Sequence, residues 1–309
     1  MEELFKKIIK IMATYYIAPT GDDTTGDGSE GNPWYNLNYA QNAVGDIDTI
    51  ICKAGTYPTQ EAIPQSQMNG IQILGETGDP RDVVLDFVGE TFQWKNTGGS
   101  GANLTPSLQF ITIKNASWSN PGSARGLFSS MGSGLTLNKC IFDYCGTGGD
   151  TSSTRGWGNI VTRILDLITI TNCVFKDCFF WNGTQCGYWG GQQITNYEGT
   201  YIVKNNLFVT TGANAPVGAI IMNACIIGET YGNQQHINKN NIYYFNDAGA
   251  ILKEENTYEV TTSKNNCYYN TDYAGVEVGT ITDDPLLVDP ANGDFRLRPG
   301  SPCVGGGTI

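Results

Sequence analysis

Residues 135–145, LTLNKCIFDYC, return almost unchanged as residues 168–178, ITITNCVFKDC. With the cysteines aligned, Cys140 recurs as Cys173 and then as Asn206, Asn241 and Asn266, at intervals of 33, 33, 35 and 25 residues. The next column reads Ile141, Val174, Leu207, Ile242, Cys267, and the one after it Phe142, Phe175, Phe208, Tyr243, Tyr268. The column before reads Lys139, Asn172, Asn205, Asn240, Asn265. Short β-prone segments that repeat in this way cannot bury an apolar face alone and must stack on one another, which is the logic of a solenoid. The unequal intervals predict loops of different length interrupting a constant strand ladder.

Stacked strands about 4.8 Å apart bring equal residues of successive turns one above the other. The column Asn172, Asn205, Asn240 and Asn265 is therefore expected to pass side-chain amide hydrogen bonds along the axis, as stacked amides do in cross-β assemblies. The arrangement that meets these conditions is a parallel β-helix.

Two further stretches make the reading more specific. Near the start, a strand and a Gly/Asp-rich loop lead into a short helix and then a strand and bend marked by Gly45, Asp46, Ile50, Gly55 and Tyr57. Near the end, DDPLLVDPANGDFRLRPGSP carries Asp284, Pro285, Leu287, Val288, Asp289, Gly293, Asp294, Phe295, Leu297, Ser301 and Pro302 at spacings that recur in proteins of one group. With the repeat, these residues make the chain resemble the right-handed pectate-lyase-like β-helix superfamily over about residues 14–309. The resemblance implies an all-β fold, a single-stranded right-handed parallel β-helix, to which the sequence adds a short amphipathic helix at residues 1–13. It further implies a plug helix at about residues 33–44 and a closing motif at about residues 283–309. It identifies a fold much better than a reaction.

Composition narrows the partners. The net charge is −12 and Lys plus Arg number 18, so the chain lacks the electrostatic footprint of a nucleic-acid binder. Such a surface also repels polyanions such as pectate or alginate unless Ca²⁺ or a local basic cleft intervenes. The nine cysteines cannot all pair within one monomer. Cys140 with Cys173 and Cys145 with Cys178 would stack at the ladder spacing, as buried thiols, as disulfides, or as thiolates around a zinc ion.

Residues 1–12, MEELFKKIIKIM, set Leu4, Phe5, Ile8, Ile9, Ile11 and Met12 on one helical stripe and Glu2, Glu3, Lys6, Lys7 and Lys10 on the other. Acids at positions 2 and 3 do not suit a secretory signal. No stretch approaches the about 20 apolar residues of a membrane span. If the coil already carries its own plug, this added helix is expected to anchor the protein to a particle or to join subunits, a trimer being favoured; packing on its own chain is the alternative.

Three sets of residues are candidates for a site. Asp22, Asp23 and Asp27 in the first loop suggest Ca²⁺, although ordinary turn chemistry explains them as well and no cofactor is expected. Phe179, Phe180, Trp181, Tyr188 and Trp189, with Trp157 one turn earlier, suit stacking on sugar rings, subunit contact, or a satellite core. Asp143, Arg163 and Asp177 are the weak candidates for acid/base chemistry. By the repeat, Asp143 stacks on Lys176 and Asp177 on Tyr144, so no two of these carboxylates share a column, as a lyase or glycosidase would want. His236, the only histidine, occupies a ladder position. The leading expectation is a non-enzymatic virion structural protein, a capsid decoration or short spike of a bacteriophage, assembled in the host cytoplasm. The alternatives are an extracellular polysaccharide lyase or glycoside hydrolase and a non-catalytic glycan-binding adhesin.

Overall fold

The computed structural model describes residues 12–67, 70–95, 105–117, 127–131, 134–145, 161–164, 167–178, 199–211, 234–245, 262–270 and 278–304. The described chain winds through three parallel sheets in turn. The first has nine strands, from Thr14–Ile17 to Thr262–Lys264, and the second has eight, from Gly55–Tyr57 to Cys267–Tyr269. The third has four, from Ile63–Gln67 to Val161–Ile164. Successive turns pair in constant register, so that Ile141 lies over Val174, Val174 over Leu207, Leu207 over Ile242 and Ile242 over Cys267. The expected all-β parallel solenoid is thus the fold observed, and the columns of the repeat are columns in space.

The interior follows from the two-residue period of a strand. Along the first sheet Ile50, Ile73, Leu108, Leu137, Ile170 and Val203 stack inward and are buried. Along the second sheet Tyr57, Leu85 and Ile113 give way to the aromatic column. There the rings of Phe142, Phe175, Phe208, Tyr243 and Tyr268 stack with centroids 5.2, 4.9, 4.9 and 5.0 Å apart. Each such pair contributes about 0.5–1.5 kcal/mol beyond the burial of its area.

Asparagine forms two ladders, not one. In the outer ladder, half-buried Asn205 donates its Nδ2 to Asn172 Oδ1 at 3.3 Å, Asn240 to Asn205 at 3.3 Å, and Asn265 to Asn240 at 3.4 Å. These residues turn the corner between the first and second sheets with φ of 57° each. Asparagine tolerates this left-handed conformation better than other side chains do. One position on, Asn206, Asn241 and Asn266 form a second ladder with no exposed surface. Its Oδ1 atoms also accept backbone N–H bonds from the turn before, of 2.9 Å from Cys173, 2.9 Å from Asn206 and 2.8 Å from Asn241. The outer ladder donates toward the start of the chain and the inner one toward its end.

At the first end the helix Leu37–Ala43 buries Leu37 and Ala40 against the core residues Ile17, Ile50 and Tyr57. It falls within residues 33–44. The Tyr57 hydroxyl donates to Ile17 O at 2.9 Å and Lys53 O at 3.0 Å, tying the first two turns together. Gly55 has φ of 138°, and a Cβ there would lie 2.6 Å from Pro19 Cγ.

At the far end the last turn is closed by residues 278–281, where Val278 bridges Lys264 and Ile281 bridges Cys267. Residues 283–304, the described part of the motif expected to close the coil, reach well beyond the last turn. Their antiparallel pair Leu287–Asp289 and Asp294–Leu297 folds back along the outside of the second sheet. There Leu287 and Cys303, with Phe295 and Leu297, cover the outward column Ile141, Val174, Leu207, Ile242 and Cys267, none of which is more than 9% exposed. The segment is a strap on the side of the coil.

Candidate functional site

The ladder acids are held by their neighbours. Asp143 points outward in a column of alternating sign, Asp86, Lys114, Asp143 and Lys176, and its Oδ1 lies 3.1 Å from Lys176 Nζ. Asp177 is 6% exposed, turns the next corner at φ of 48°, and accepts from Thr211 N at 2.8 Å and Thr211 Oγ1 at 2.7 Å. Arg163 belongs to the strand Val161–Ile164 of the third sheet, whereas Asp143 lies in the second sheet and Asp177 just beyond that sheet's strand Val174–Lys176. His236 lies in the strand Gln234–Lys239, as its ladder position requires.

The acids of the first loop organise that loop. Asp22 Oδ1 accepts from Thr24 N and Thr25 N at 2.7 and 3.0 Å, and these bonds hold its carboxyl below the usual range. Asp27 accepts from Ser29 N at 2.9 Å, and Ser29 likewise lowers its carboxyl. Asp23 takes the backbone N–H groups of Tyr35 and Asn36 at 2.8 and 3.0 Å and so positions the start of the helix. Among the described residues no three His, Cys, Asp or Glu side chains gather as a metal site. The cysteines of the repeat, Cys140, Cys145, Cys173 and Cys178, are free thiols, and so are Cys52, Cys267 and Cys303. Burial pushes the Cys52, Cys140 and Cys178 thiols well above their ordinary range.

The aromatic candidates Trp157, Phe179, Phe180, Trp181, Tyr188 and Trp189 lie outside the described residues, as do Leu4, Phe5, Ile8, Ile9 and Ile11. Met12, the last residue of the amphipathic segment, is exposed. Among the described residues no helix is long and apolar enough to cross a membrane.

The described residues form one concavity that the sequence did not point to. Where the strap meets the turn at residues 78–81, a cleft of about 210 Å³ opens over Ile141 and Val174. Phe295 and Arg296 of the strap, Asp79 and Arg81 of the turn, and Lys139 at the ladder corner complete it. Two matching clips flank the cleft. Asp79 accepts from Arg81 Nε at 2.9 Å and Nη2 at 2.5 Å; Asp294 accepts from Arg296 Nε at 2.8 Å and Nη2 at 2.5 Å. The hydrogen bonds from Arg81 hold the Asp79 carboxyl below its usual range, and those from Arg296 bring Asp294 down to about 2. Lys139 Nζ sits 5.7 Å from the Phe110 ring centre. A signal for this architecture was present. Residues 141–142, 174–175, 207–208 and 242–243 are adjacent apolar pairs, and in a strand only one member of each pair can face inward. The other must be covered from outside, and the strap covers it.

No protein-family model matches the chain, and none of the curated proteins matches it.

Proposed function

We propose that the chain is a non-enzymatic structural protein of a virus particle, a capsid decoration or short spike built on a β-helix of the pectate-lyase-like kind. The observation that carries this reading is the use made of the ladder acids. Asp143 is committed to Lys176 and Asp177 to Thr211, so the groups a lyase or glycosidase would draw on instead hold one turn to the next. Stacked amides and rings run along the same axis, and a close-packed body of this sort transmits force with little deformation. In this reading residues 1–12 supply the attachment, three copies assemble in the host cytoplasm, and the coil stands on the virion surface.

Contact with glycans is the second reading. Cys145 and Cys178 occupy equivalent corners one turn apart, and the segments that follow them carry Trp157 and the cluster from Phe179 to Trp189. Aromatic-rich segments joined to a rigid scaffold at two successive turns suit contact with sugar rings.

The test is sedimentation from the natural source. Megadalton material is pelleted and the fraction holding this chain is identified by mass spectrometry. Recovery at a fixed ratio to a major shell protein supports the structural role. Recovery only as a soluble species of one to three subunits overturns it, and a glycan panel with Asp143, Arg163 and Asp177 substitutions then decides between lyase or hydrolase and adhesin.

A further inference from the structure

The cleft under the strap gathers like charges in a molecule whose net charge is −12. Arg81, Lys139 and Arg296 come from three separate elements and line one cavity. They repel one another, and Arg81 acts on Arg296 as an opposing positive charge. The two arginines are nevertheless fixed in place by Asp79 and Asp294. Lys139 is exposed and has no salt-bridge partner among the described residues. Asp79 and Asp294 pair with the two arginines and Asp82 also acts on Arg81, so Lys139 is the cation left for a ligand. Cations drawn from three elements to one cavity suit an anion.

The donors left over describe that anion. Each clip occupies the Nε and Nη2 edge of its guanidinium, the edge that grips a planar carboxylate in bidentate fashion. What remains on each arginine is three N–H donors, two on Nη1 and one on Nη2, and with the Lys139 ammonium these arrive from three elements. Three groups converging from three directions suit the three terminal oxygens of a tetrahedral oxyanion better than the two of a carboxylate. Beneath the cations the lining is Ile141, Val174 and Phe295, which an inorganic ion would leave uncovered. The volume of about 210 Å³ is below the about 300 Å³ at which drug-sized sites begin, enough for one ring.

We propose that this cleft binds a phosphate or sulfate ester carried on a compact carbon body such as a single sugar ring, with the oxyanion on Arg81, Lys139 and Arg296 and the ring against Phe295. The inference stands apart from the particle role, since it rests on the cleft alone.

Isothermal titration calorimetry of the full chain tests it, with glucose 6-phosphate, glucose 6-sulfate, inorganic phosphate, inorganic sulfate, glucuronate and glucose as titrants. At least one ester is expected to bind, its inorganic ion more weakly, and glucose not at all; the preferred ester identifies the source of the oxyanion. Added sodium chloride should weaken the ester, because the contacts are charge-assisted and partly exposed. Lys139→Met should weaken it about tenfold, the effect of losing one charge-assisted contact. Lys139 is exposed, so this variant should melt as the parent does, whereas Arg81→Gln with Arg296→Gln should abolish binding. The proposal is overturned if neither ester binds at millimolar concentration, if Lys139→Met binds as the parent does, or if glucuronate binds as tightly as the esters.

Discussion

Asn206 donates its side-chain amide to Asn241 Oδ1 at 3.0 Å in a part of the coil where neither residue has exposed surface. The same oxygen accepts the backbone N–H of Asn206 at 2.9 Å. Asn241→Ala therefore strips the acceptor from two buried donors and leaves a cavity. The expected loss is about 2–4 kcal/mol, measured as a lower urea midpoint with an unchanged slope. A loss below about 0.5 kcal/mol would show that the inner ladder does not hold the turns together.

The outer ladder is a matter of backbone as much as of hydrogen bonds. Asn205 sits at φ of 57° and is half-buried, with its amide on Asn172. Asn205→Gly keeps the conformation and loses two partly exposed hydrogen bonds, the one to Asn172 and the one from Asn240, so a cost of about 1–2 kcal/mol is expected. Asn205→Val loses the same bonds and adds the about 1–2 kcal/mol that a side chain incurs in the left-handed region, more for a β-branched one. Thermal melting of the two variants should separate them in that order, and the reverse order would refute the conformational account.

How much of this was legible in the sequence follows from what a repeat encodes. Like residues recurring in the same order in successive copies specify which side chains stack, so the ladder, its register and the pairing of Asp143 with Lys176 could be read from the columns. The ladder through Asn172, Asn205, Asn240 and Asn265 was read as well, but the buried one through Asn206, Asn241 and Asn266 was not. Both columns are asparagine, and only the strand's alternation and the corner geometry decide which of them faces inward. The strap was missed for a different reason. Residues 283–304 lie beyond the repeat, and where a non-repeating segment packs is set by long-range burial, not by period. Its target was visible all the same, in Ile141, Val174, Leu207 and Ile242 standing beside an inward aromatic column.

That outward column supplies the third prediction. Leu207 points away from the interior yet is only 3% exposed, because the strap covers it. Leu207→Ala should cost about 2–4 kcal/mol, as a core leucine does, whereas Thr169→Ala, half-buried on the first sheet and outside the strap's cluster, should lie within about 0.5 kcal/mol of the parent. Equal and small effects in denaturant titrations would show that the strap does not seal this face.

The strap should also open before the coil does, and its thiols report this. Cys303 packs beside Cys267, and this contact lowers the Cys303 thiol while it raises that of Cys267, burial adding to the rise. Both are buried, so labelling requires the strap to lift, whereas Cys52 and Cys140 lie in the main core and require the coil to unfold. Labelling at neutral pH followed by peptide mass spectrometry should find Cys303 modified first and the core thiols at the rate of global unfolding. Acid should hasten the first step only. The Asp294 carboxyl, held near 2 by Arg296, also attracts Arg81 across the cleft. A depressed carboxyl contributes its hold fully above its ordinary value of 3.8 and loses it as the pH falls through about 2. Protonation then leaves Arg81 facing Arg296 with no charge between them. With a disulfide reagent that reacts in acid, Cys303 labelling should rise as the pH drops from 4 toward 2, and Asp294→Ala should show the raised rate already at neutral pH. A rate for Asp294→Ala equal to the parent's at neutral pH would mean that apolar contacts alone hold the strap down.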